Sequence, residues 1–250
     1  MANLNHLAGR LAFCCLTVLA ARAGTITNGG FELNDGANSF TGWTVAVQSG
    51  GQNNWWAQSG TNSPVNVFTV PAPPELQFAA MTDGPGPSSE ALLQSFTAPL
   101  GAVALTLSFD YFILNPNSDF IAPDSLDFTA GGNQQARVDI LTAGAGAFDL
   151  DSAVVLNVLQ TNPGDPNGTG ATAYTSFSMD ITASLTPGAT YQLRFAEVDT
   201  QGQLLFGIDD VQINGVPVTG DPSPVPEPGS LLLAATGLLG LGWFGRRSRA

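Results

Sequence analysis

Between Gly24 and Gly245 the chain has no lysine, no histidine and no cysteine, and its only cations there are Arg137 and Arg194. Each absence removes a chemistry. Ser-His-Asp and Cys-His hydrolases need an imidazole base, Schiff-base enzymes need a lysine, and zinc sites draw on histidine or cysteine. Phosphate-gripping loops lack their lysine. No disulfide can form, so the fold must rest on an apolar core, and about two hundred residues suffice for one. With the two ends of the chain set aside, 2 basic residues face 19 acidic ones, a net charge of −17. Such a body repels nucleic acid and anionic lipid, so no nucleic-acid partner is expected. Carboxylate chemistry alone stays open, since paired acids can act as general acid and nucleophile at a glycosidic bond. Nineteen acids make some close pair nearly inevitable. The chain therefore reads as a non-enzyme, with a carboxylate glycosidase as the remaining catalytic alternative.

Both ends carry what the middle lacks. Arg10 precedes the apolar run Leu11 to Ala21, and Ala21-Arg22-Ala23 places small residues at the two positions read before a cut at Gly24. The run is too short for a membrane anchor and has the layout of a secretory signal peptide. Cys14 and Cys15 fall inside it, and Phe13 before Cys14 disfavours a lipoprotein reading.

At the other end, Val225-Pro226-Glu227-Pro228 leads into Gly229 to Gly245, seventeen residues without a charge, and then Arg246, Arg247 and Arg249. As a helix that run spans ~26 Å, the lower limit for a bilayer core. Positive charge is retained on the cytoplasmic side, so the rest of the chain points outward. No Gly-x-x-x-Gly pair marks the run as a dimerisation surface.

A valine-proline-glutamate-proline element, a short apolar helix and a terminal arginine cluster together resemble the PEP-CTERM sorting signal of bacterial envelope proteins. The resemblance covers Val225 to Ala250 and implies cleavage by an exosortase near the Pro-Glu-Pro element. It also implies an inner-membrane-anchored precursor that ends at the cell surface or in an exopolysaccharide matrix. An ordinary C-terminal anchor is the alternative. The expected partners are the Sec export machinery, signal peptidase, an exosortase and exopolysaccharide.

Between the ends the pattern has period two. Val103, Leu105, Leu107, Phe109, Tyr111 and Ile113 alternate with smaller or polar residues, as do Phe177, Met179 and Ile181, and then Tyr191, Leu193 and Phe195. Further runs occur at 43–48, 65–70, 75–81, 92–97, 136–142, 153–159 and 204–214, about ten strands in all. Turn clusters such as Asp83-Gly84-Pro85-Gly86-Pro87 separate them. The pattern predicts an all-β antiparallel sandwich. The expected division is signal peptide 1–23, sandwich 24–220, Pro-rich linker 221–228, transmembrane helix 229–245 and basic tail 246–250.

Asn28-Gly29-Gly30-Phe31-Glu32 with Gly42-Trp43, and Gly207-Ile208-Asp209-Asp210-Val211, resemble the opening and closing strands of galactose-binding-like jelly rolls, notably carbohydrate-binding modules. That resemblance implies a structural calcium where the two strands meet. Glu32 and Asp209 would be side-chain ligands, helped by backbone carbonyls near Asn28 and Gly30. Simple alternation puts Asp209 on the face of Val211 and Ile213, hence inward. The alternative is an Asp209 carboxylate held by strand-end amides or by Arg194.

Trp55 and Trp56 sit among glycine, glutamine and asparagine, a composition that predicts a loop. Exposed, either indole could stack on a sugar, the site of a glycan-binding module; otherwise both cover the edge of the sandwich. Arg137 and Arg194 are expected in ion pairs, the first beside Asp139 and the second near Glu197 or Asp199.

Overall fold

The computed structural model describes residues 26–116, 119–166 and 173–217. The signal peptide, the Pro-Glu-Pro element, the apolar run and the arginine cluster lie outside the described residues. Among the described residues ten strands occur: β1 (Thr44–Val47), β2 (Asn54–Gln58), β3 (Ala79–Asp83), β4 (Ser88–Thr97), β5 (Ala102–Leu114), β6 (Gln135–Thr142), β7 (Val154–Gln160), β8 (Thr175–Asp180), β9 (Thr190–Asp199) and β10 (Leu205–Pro217). They form two five-stranded sheets, ordered β1-β4-β9-β6-β7 and β2-β3-β10-β5-β8. Every strand pairing is antiparallel. The fold is the all-β sandwich that the alternation predicts.

Alternation explains the core. Leu105, Leu107 and Phe109 of β5 point between the sheets, with Phe206 and Ile208 of β10, Leu193 and Phe195 of β9, and Val138 and Ile140 of β6. The Phe195 ring meets Phe109 edge-on at 5.3 Å and Phe206 at 6.3 Å, bridging the two layers. Each such side chain contributes about 1.5–3 kcal/mol on leaving water. Trp43 belongs to this core, its ring tilted against Phe31 at 5.3 Å.

Two segments depart from the sequence reading. Asn54–Gln58, expected as a loop, is the edge strand β2, paired to β3 from Asn54↔Asp83 to Gln58↔Ala79. Its polar flanks hid a short strand that is held at the edge by its pairing with β3. Residues 65–70, expected as a strand, make only the isolated bridge Asn62↔Thr69. Val67 has φ 58°, and the amides of Val65 and Asn66 donate to Asp83 Oδ2 at 2.7 and 3.0 Å, so the backbone is claimed by a carboxylate instead of a ladder.

β10 contains the third departure. Its register with β5 shifts between Asp209 and Gln212, where Asp210 adopts φ 46°. Ile208 and Val211 both reach the core, so the bulge absorbs Asp209 and Asp210 and reverses the phase. Asp209 therefore sits on the outer face of its sheet, opposite Asp110 of β5, and not with Val211 as simple alternation implied.

Candidate functional site

The segment 28–32 is latched to the β10 bulge by the amide of Val211, which donates to the Gly29 carbonyl at 3.0 Å. A Cβ at position 29 would lie 2.0 Å from the Val211 oxygen, so only glycine fits there. Asn28 fastens the loop that follows, through Nδ2 to the carbonyls of Leu33 and Thr41 and Oδ1 to the Leu33 amide. Its own carbonyl accepts from Trp43 Nε1 at 3.0 Å. Glu32 Oε1 accepts from the amides of Gln77 and Phe78 at 2.9 and 2.8 Å. Asp209, fully buried, accepts from the amides of Asp210 at 2.8 Å and Glu75 at 3.3 Å.

The structure thus brings Gly30 and Asp209 together and adds Glu75, which no spacing in the sequence indicated. From Gly30, the position of a Cβ lies 3.3 Å from Glu75 Oε2 and 3.8 Å from Asp209 Oδ1. The bare glycine leaves a small oxygen-lined cradle. Burial pushes the Asp209 carboxyl up to about 7, opposed by its amide donors. Burial also raises Glu75, helped by Asp210, Asp110 and Glu32. Five acids gather here without a cation. Among the described residues, however, no three histidine, cysteine or acidic side chains are grouped to hold a metal ion.

The tryptophan pair is divided. Trp55 is fully buried, its ring 5.7 Å from Phe206, and it offers no face to a ligand. Trp56 points the other way, half-buried, and its Nε1 donates to the Asp83 carbonyl at 2.9 Å.

Both arginines share one acid. Arg137 makes a bidentate contact with Asp139, Nε to Oδ2 at 2.8 Å and Nη2 to Oδ1 at 2.7 Å. Arg194 reaches Asp139 Oδ2 with Nη2 at 2.6 Å and the carbonyls of Ala147 and Asp149 with Nη1. Asn157 Nδ2 completes the shell at 2.9 Å. Burial raises the Asp139 carboxyl, but the two guanidiniums outweigh it and hold its pKa below the ordinary value. Glu197 and Asp199 are not partners of Arg194, because on β9 an odd offset of three or five residues puts them on the opposite face.

That opposite face holds a feature the sequence did not suggest. Glu90 of β4 and Glu197 of β9 are direct register partners, each 0 % exposed, and both point between the sheets. Among the described residues none of their four carboxylate oxygens has a well-formed hydrogen bond, although the hydroxyls of Ser88 and Thr82 lie near enough to oppose the effect of burial. Burial raises Glu90 to about 6, and burial with Glu90 and Asp199 pushes Glu197 well above its ordinary value. Asp199, beside them, is raised to about 8 by burial and by Glu90, although Asn53 Nδ2 and the Ser88 amide donate to it. Acids this close share protons, and a proton on one supplies the hydrogen bond the other lacks. The pair has a glycosidase's residue types but both side chains are fully buried.

Fold and polar clusters together define a disulfide-free, acid-rich antiparallel sandwich. Beyond the sandwich, residues 224–247 match the PEP-CTERM protein-sorting motif. The motif implies export and processing by an exosortase. No curated protein matches the chain by sequence. Among solved structures, the tailspike protein 4 enzymatically active domain of bacteriophage CBA120 is 11 % identical over 77 % of this chain, which spans 21 % of that chain, with TM-score 0.43. TmCBM61, solved in complex with beta-1,4-galactotriose, is 10 % identical over 77 % of this chain and 99 % of its own, with TM-score 0.42. The K1 adhesin domain of Lys-gingipain from Porphyromonas gingivalis W83 is 13 % identical over 70 % and 92 %, with TM-score 0.40. At these identities and scores neither residues nor ligands transfer to this chain.

Proposed function

We propose that the protein is a structural or adhesive component of the bacterial cell surface or exopolysaccharide matrix, anchored in the inner membrane until an exosortase releases it. The observation that carries this reading is the sorting motif at 224–247 behind an acidic sandwich. Sec export and signal peptidase act at the N-terminal end, with the cut after Ala23. The reading is non-catalytic, supported by the lack of imidazole, thiol and amine between the two ends and by the sealing of Glu90 and Glu197 in the core. A glycan-binding module is the second reading; the burial of Trp55 leaves it Trp56 alone. Intact mass of the chain recovered from the surface of an exosortase-bearing host tests the first. Loss of residues 1–23 and of everything beyond the Pro-Glu-Pro element is expected. A soluble intracellular chain with both ends intact would end the proposal.

The acid cluster around Gly30 is proposed as a structural calcium site. Asp209 and Glu75 would lie nearest the ion at Gly30, with carbonyls near Asn28 and Gly30 and with Glu32 beyond them, and the ion would supply charge neutralisation. Calcium takes six to eight oxygens at 2.3–2.6 Å, and hard carboxylate donors suit it. The cradle at Gly30 and the absence of any cation beside five acids support the fit. Millimolar calcium is expected to raise the melting temperature by about 5 °C over chelator in the wild type, and by none in Asp209→Asn. Superimposable wild-type curves would remove the site.

A further inference from the structure

The end of the sandwich from which the chain departs toward its sorting motif is poor in charge, Asp180 beside Thr182 being its nearest acid. Three segments build it: 97–104 around the β4–β5 turn, 182–190 between β8 and β9, and 215–217 closing β10. None contains an acid or an arginine, in a body of net charge −17. The nearest carboxylate along these segments, Asp180, is turned onto the amide and hydroxyl of Thr182.

The segments form one surface. The Gly188 amide donates to the Ala98 carbonyl at 2.8 Å, and the Ala98 amide to Ala189 at 2.9 Å. A Cβ on Gly215 would stand 3.6 Å from both Ala102 Cβ and Pro99 Cγ, and one on Gly188 would stand 3.1 Å from Leu100 Cδ2. On this surface Leu100 is 81 % exposed, Val103 56 % and Val216 37 %. A lone exposed leucine needs no explanation, but neighbouring aliphatics in a charge-poor surround mark a contact face.

What covers that face follows from where the chain goes. Eleven residues, 218–228, separate Pro217 from the apolar run that begins at Gly229. At about 3.5 Å per residue they reach no more than about 40 Å, so a tail seated in the bilayer keeps this end close to the lipid. The acid-rich remainder is repelled by anionic headgroups, and the charge-poor end meets the least repulsion on approaching them. We infer that Leu100, Val103 and Val216 rest in the interfacial layer of the bilayer while the precursor is anchored. The inference depends on the anchored-precursor reading above. A weak apolar contact suffices, because the short connection converts it into an intramolecular one.

The test uses the full chain with Cys14→Ser and Cys15→Ser, carrying a single nitroxide-labelled cysteine from Leu100→Cys, Val103→Cys or the control Leu76→Cys. The chains are reconstituted in phosphatidylcholine vesicles containing one-fifth phosphatidylglycerol. Oxygen, which concentrates in lipid, is expected to relax labels 100 and 103 at least threefold more, relative to a water-soluble nickel chelate, than label 76. With the label moved to Val216→Cys, the pair Leu100→Glu and Val103→Glu should abolish the preference. Water-like behaviour at 100 and 103 in chains that float with the vesicles overturns the contact and leaves the anchor reading standing. Chains that fail to float overturn both. A preference that appears only when an exosortase is co-reconstituted assigns the face to a protein and overturns the lipid contact.

Discussion

Replacing Asp139 by alanine is expected to lower the melting temperature by about 10–15 °C. The residue is the shared ion-pair partner of both cations of the sandwich, and both guanidiniums are buried beside it. Removing the acid leaves two charges in the interior, and breaking a buried pair in this way costs about 3–5 kcal/mol. For a domain of this size each kcal/mol moves the midpoint by about 2–4 °C. Net stability of a folded domain is only about 5–15 kcal/mol, so the loss is a large fraction of it. The reverse experiment is equally specific. Asp139→Leu combined with Arg137→Met and Arg194→Met removes all three charges together and should recover most of the midpoint, because a well-packed apolar replacement avoids the cost of desolvation. Thermal melts followed by circular dichroism decide it. A shift under 3 °C for Asp139→Ala would mean that the ion network stabilises nothing.

Alkaline destabilisation is the second large effect. Burial raises Glu90 to about 6 and Asp199 to about 8, with Glu197 higher than its ordinary value as well. In the unfolded chain all three lose their protons near pH 4 to 4.5. Between that point and pH 8 the folded state holds the extra protons, so stability is greatest in acid and falls as pH rises through 6 to 8. No arginine faces the cluster; those on the same sheet lie on its other side, around Asp139. The expected loss from pH 5 to pH 9 is on the order of 3 kcal/mol, since one pKa unit is worth ~1.4 kcal/mol. Glu197→Gln retains the shape, removes the like-charge repulsion and should flatten the profile, leaving the variant more stable than wild type at pH 8. Denaturant unfolding at five pH values measures both. A wild-type midpoint that stays level from pH 5 to pH 9 would contradict the shared proton.

Local pattern carried the strands whose partners supply the matching alternation. Leu105, Leu107 and Phe109 are inward in the sequence pattern and in the structure, because β5 lies inside its sheet and keeps one face on the core. β2 was illegible for the opposite reason. It is five residues long, lies at an edge, and is made a strand by β3 rather than by its own composition. Asp209 could be singled out as a strand carboxylate, but its face could not, since a single left-handed residue at Asp210 reverses the phase. The contacts between Glu90 and Glu197, and between Glu75 and the Gly30 cradle, depend on strand register and loop path. Neither is written in a short window of residues. The mistaken partner for Arg194 was avoidable: period two alone puts residues 194 and 197 on opposite faces. The sorting motif was legible because a protease and a membrane read it as linear text.

β10 also determines how a pull at its C-terminal end would be resisted. The tail joins its last residue, and β10 lies inside its sheet, between β3 and β5, in register with β5 over eleven residue pairs. A pull on the tail runs along the strand, whereas the ladder bonds lie across it. They must therefore resist in parallel and cannot be peeled off one after another. In a sandwich with no cysteine to cross-link it, that geometry serves as the mechanical fastening.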